Sequence, residues 1–89
     1  MIYLTIYATP PADEKDFGGA YVSCWINMQD EAEAESLARQ TLRSEGWTPL
    51  ELTDCLEVDR QRYLGTDSLV YFDEATTDGA CFVFQTYPT

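Results

Sequence analysis

Three cysteines and a surplus of carboxylates are the side chains here that could do chemistry, and their spacing argues against most of it. Cys24, Cys55 and Cys81 lie far apart with no C-x-x-C among them, so neither a zinc knuckle nor a dithiol redox pair is encoded. Three free thiols in a reducing, cytoplasmic setting are expected. A nucleophilic thiol needs a cation or a helix N-terminus beside it. The chain has no histidine, so the usual general base and the imidazole metal ligand are both missing. Triads that rely on histidine are excluded. No P-loop, dinucleotide fingerprint or calcium loop is present, and Gly18-Gly19 is too little to make a phosphate cradle. No catalytic residue, metal ligand or cofactor is assigned, and a protein that is not an enzyme is expected.

The carboxylate pairs Asp73-Glu74 and Glu57 with Asp59 are what sixteen acids in 89 residues produce by chance, and read as solvated surface. Asp54 differs. It shares a parity with Leu50, Leu52, Leu56 and Val58, so it sits either at a bulge in water or buried against Arg60, Arg62 or a tyrosine hydroxyl. A buried acid would have a perturbed pKa, which makes Asp54 the candidate acid of the chain. Cys24 and Cys81 lie among apolar residues and read as core, whereas Cys55 opposes the parity of Leu56 and is expected to be the most exposed thiol.

Five Lys and Arg stand against those sixteen acids, a net charge of −11. That balance repels nucleic-acid backbones and anionic membranes. It suits a solvated surface or, more pointedly, an acidic face that occupies a basic site on a partner protein. No apolar run approaches the ~20 residues of a membrane span, and the alternating N-terminus reads as a strand and not as a signal peptide.

The elements that position these residues follow from periodicity. Ile2, Leu4, Ile6 and Ala8 alternate with Tyr3, Thr5 and Tyr7, the pattern of a half-buried strand that Thr9-Pro10-Pro11 ends. Residues 9–19 read as an exposed loop. A second strand, Ala20 to Met28, sets Val22, Cys24, Ile26 and Met28 on one face and Tyr21, Ser23, Trp25 and Asn27 on the other. Asp30, with Glu33 three positions on, caps a helix whose stripe is Ala34, Leu37, Ala38, Thr41 and Leu42 and whose stop is Gly46. A strand between Trp47 and Val58 comes next, either bulged near Thr53-Asp54 or confined to one half of the segment. One helical turn at 59–63 and a short helix with Leu69, Phe72 and Ala75 inward follow. The run Ala80 to Phe84 is apolar on both parities and reads as a central strand.

The order β-β-α-β-α-β is an α+β domain: a single four-stranded sheet with two helices packed mainly on one face. In four strands and two helices it resembles ferredoxin-like plaits in class, although here the order starts with two strands; such an analogy says nothing about activity. With both helices on the aliphatic side, Tyr3, Thr5, Tyr7, Tyr21, Ser23 and Trp25 are left as a half-wet aromatic surface of the kind that marks interaction sites. The expectation is therefore a binding protein that forms a homodimer or holds a protein partner through this face. An acidic inhibitor or immunity-type protein, nucleic-acid-mimicking or not, is the second reading. An enzyme using a carboxylate or a cysteine is the third.

Overall fold

Strand alternation decides where the core lies. In a computed structural model, which describes residues 1–14 and 17–88, β1 (Ile2–Thr9) buries every even-numbered residue and half-exposes every odd one. The other elements are β2 (Phe17–Ile26), α1 (Glu31–Ser44), β3 (Thr48–Glu57), a single 3-10 turn at Arg60–Tyr63, α2 (Leu69–Asp78) and β4 (Ala80–Pro88). They form a four-stranded antiparallel sheet in the order β3-β1-β2-β4. The α+β class and the element order β-β-α-β-α-β are those expected.

The helices divide between the two faces, where the sequence reading put them mainly on one. Ala34, Ala38 and Leu42 of α1 close over the even-numbered residues Ile2, Leu4, Ile6, Ala8, Ala20, Val22, Cys24 and Ile26. Phe72 and Ala75 of α2 pack on the opposite face with Trp25, Cys81, Val58 and Tyr63. The reason lies in register. Leu56 stands opposite Tyr3, Cys81 opposite Trp25 and Val83 opposite Ser23, so one end of the odd face gathers enough apolar surface to need its own roof. The first two strands, read alone, do not reveal those neighbours.

Local signals behave as the residues dictate. Asp30 accepts the N–H of Glu33 at 3.0 Å as the cap of α1, and Glu35 pairs with Arg39 one turn on at 2.8 Å. Gly46 and Gly79, with φ of 89° and 94°, follow the two helices in the left-handed region that spares only glycine a Cβ clash. The pairing of β3 with β1 slips at the Thr53-Asp54 bulge and again beside Leu50, which is left 54% exposed. Two expectations are corrected. Strand β2 starts at Phe17 and ends at Ile26, so Gly18-Gly19 belong to the strand; Lys15 and Asp16 of the 9–19 loop lie outside the described residues. Strand β4 is an edge strand and not a central one. Its two apolar parities have separate causes: Cys81 and Val83 lie under α2, while Phe82 and Phe84 face the α1 side.

Candidate functional site

The expected aromatic surface is divided by α2. Trp25 is 4% exposed, its ring 5.0 Å from that of Tyr3, 5.3 Å from Tyr71 on α2 and 6.1 Å from Tyr63. Beside it runs a polar ladder. Thr5 Oγ1 donates to Tyr3 Oη at 2.8 Å, and that oxygen lies 3.2 Å from Ser23 Oγ. Tyr3, Thr5, Ser23 and Trp25 thus form the covered or half-covered end. Tyr7 and Tyr21 stack at the other end with centroids 5.1 Å apart, and Tyr87 meets Tyr21 edge-on at 5.7 Å. Tyr21 is 37% exposed and Tyr87 47%. One continuous docking face is therefore not what these six residues make. Half of it is a second small core.

At the covered end, over Tyr3 and Trp25, lies a polar hollow of about 410 Å³ bordered by Ser23, Asp54, Arg62, Ser68 and Gln85. Asp54 reaches it from the bulge of β3, exposed to water. The alternative of a buried position against Arg60 is thereby removed, and Arg60 is engaged elsewhere, in a two-point contact with Asp73 at 2.8 and 3.2 Å. That contact lowers the Asp73 pKa through the hydrogen bond. Beneath the hollow, Trp25 Nε1 is buried without a hydrogen-bond partner among the described residues. An unmet donor of this kind costs about 1–3 kcal/mol.

All three thiols stand in settings that hold their protons. Burial pushes Cys24 up to about 12, with Cys81 adding to the rise. Cys81 is likewise raised to about 12, by burial first and then by Glu74, whose Oε2 accepts from its Sγ at 3.0 Å. Cys55, the half-exposed one, is raised by desolvation and by Glu31 at 3.7 Å. No cation neighbours any of these thiols among the causes of their shifts, which is the reverse of what activates a cysteine.

The feature that sequence reasoning missed is the flank along β4. The backbone of α1 lies against β3, β1 and β2 but stays more than 8 Å, Cα to Cα, from β4 among the described residues. That leaves an apolar groove of about 450 Å³ between its C-terminal half and the edge strand, lined by Thr41, Leu42, Glu45, Trp47, Phe82 and Phe84. Trp47 and Phe84 stack across it at 5.2 Å, and Phe84 is 38% exposed. Tyr21, Phe84 and Tyr87 therefore surround one strand edge from both faces. Acids hem the same edge: Glu45 at the groove, and Glu74 and Asp78 on α2, near enough to Cys81 to raise its pKa. The sequence signal was there, in a strand without a single charge in an otherwise acidic chain, but it pointed equally to burial. No known protein-family model, curated protein or solved structure matches this chain.

Proposed function

We propose that this chain is a small non-enzymatic protein-binding module whose contact surface is the β4 side of its sheet and whose partner is a basic polypeptide. The observation that carries the reading is a row of exposed rings along this side with carboxylates flanking the strand: Tyr21, Phe84 and Tyr87, with Glu45 beside Phe84 in the groove and Glu74 and Asp78 at the Cys81 end. Interface cores favour Tyr, Trp and Phe, and a rim of one charge sign selects a partner of the other. The same acids weigh against the homodimer, since two copies would each bring a net charge of −11 and identical carboxylates to the joint. The raised thiols and the exposed Asp54 support a non-catalytic role.

Trp47 borders the groove and its fluorescence reports on it, so a titration tests the reading directly. A peptide of alternating lysine and valine should bind, and bind more weakly as salt is raised, because rim charges are screened. Its glutamate–valine counterpart should not bind. Equal binding of the two, or binding of neither, refutes the basic partner. Sedimentation of the chain alone checks the homodimer: a dimer at low micromolar concentration would return the surface to self-association.

A further inference from the structure

The two edges of the sheet differ in a way that specifies how a partner would attach. Exposed strand edges are templates for another strand, and natural proteins blunt them with charges, prolines and bulges. Edge β3 is blunted: it carries Pro49, two breaks in register and the acids Glu51, Asp54 and Glu57. Edge β4 has none of these over Ala80–Tyr87, and its pairing with β2 runs without a break from Ala80 to Tyr87 on that strand's partners Ile26 to Gly19.

The hydrogen-bond rhythm shows which backbone groups are free. Asn27 N–H donates to Gly79 C=O at 2.9 Å, one step beyond the Ile26–Ala80 pair. Antiparallel ladders alternate bonded and non-bonded pairs, so the odd-numbered residues of β4 bond to β2. The N–H and C=O groups of Phe82, Phe84 and Thr86 are then directed away from the sheet. No backbone bond outside the β2 ladder reaches them among the described residues.

Resting on the basic-partner reading above, we propose that the partner enters as an extended segment that adds a strand to β4, apolar on the α1 side and basic on the α2 side. Alternation makes this a sequence rule, because successive residues of the added strand face opposite sides. One set lies beside Phe82 and Phe84 and extends the groove that Trp47 borders. The other set runs below α2, where Glu74 is anchored over Cys81 and Asp78 lies close by. Strand addition takes its affinity from main-chain bonds and its selectivity from alternate side chains, and both components are laid out here. A second copy of β4 offers the main-chain bonds but no basic side chains, since the strand is uncharged.

The test uses the full chain, the lysine–valine peptide and an otherwise identical peptide N-methylated at alternate amides, with amide exchange followed by NMR. Binding should slow exchange at Phe82, Phe84 and Thr86 at least about 10-fold, since a bonded amide must open before it exchanges. N-methylation should abolish both the binding and the protection. The double variant Glu74→Gln, Asp78→Asn should weaken binding by about 2- to 30-fold at low salt, from two rim pairs. Binding that leaves those three amides unprotected overturns strand addition while the basic-partner reading stands. Absence of binding overturns both. Protection of the same amides in the peptide-free chain, rising with concentration, gives the edge to a second copy and overturns this proposal.

Discussion

Replacing Trp25 separates a roofed core from a docking face. Its ring is 4% exposed and lies among Tyr3, Tyr63 and Tyr71, so most of its surface leaves water when the single chain folds. Burying an aromatic of this size removes about 150–250 Å², worth roughly 4–6 kcal/mol at 25 cal/mol per Å² as an upper bound. The unpaired Nε1 returns about 1–3 kcal/mol when it is deleted. Trp25→Ala should therefore destabilise the monomer by about 1–5 kcal/mol, centred near ~3 kcal/mol, the size known for large-to-small core changes once that credit is allowed. For a domain of this size the central value is roughly 10–25 °C of Tm. Trp25→Phe loses part of the ring but also the orphaned donor, and should stay within about 1 kcal/mol of the parent. Urea unfolding monitored by circular dichroism reads both variants, with an unchanged m-value as the control for two-state behaviour. A loss below about 1 kcal/mol for Trp25→Ala would mean that α2 does not roof this end of the face, and the division of the aromatic surface would fall with it.

Four further outcomes follow from particular contacts. Asp30→Ala removes the cap of α1 and should cost about 1 kcal/mol in urea unfolding, with Asp30→Ser close to neutral. Gly19→Ala would place a Cβ 2.6 Å from Tyr7 Oη, so it should destabilise by about 1–2 kcal/mol. Adding Tyr7→Phe should recover part of that loss, as a double-mutant cycle would show. Folded-state pKa values near 12 for Cys24 and Cys81 lie above the unfolded value of 9.0. Their contribution to stability is thus fully present below pH 9 and is lost as pH rises towards 12, because only the unfolded chain readily gives up these protons. Alkaline unfolding curves check this, and Cys24→Ala should flatten the decline. At neutral pH, iodoacetamide should label Cys55 before the other two.

Much of the architecture was legible because it is written in local patterns. The parity of Ile2, Leu4, Ile6 and Ala8 identified the core face, and the side-chain cap at Asp30 and the glycine at 46 marked the first helix. A carboxylate on an apolar parity left either a bulge near Thr53-Asp54 or a shortened strand, and the bulge is what forms. These signals depend on neighbours within a few residues, and no distant contact is needed to interpret them.

The site was legible only in part. Tyr3, Tyr7, Tyr21 and Trp25 do share one face, as their spacing requires. Whether that face is bare depends on Leu56, Cys81 and Val83, which join it from strands far along the chain. The same limit applies to Asp54, whose exposure depends on the bulge and on Arg60 turning to Asp73.

By itself, then, the sequence determined the charge, the element order, the parity of β1 and β2 and the absence of histidine. Tertiary structure alone decided that β4 lies at an edge, that the helices take opposite faces, and that rings and carboxylates meet along one flank. A strand's pattern reports how many of its faces leave water. Which neighbours remove that water is settled only when all four strands choose their order.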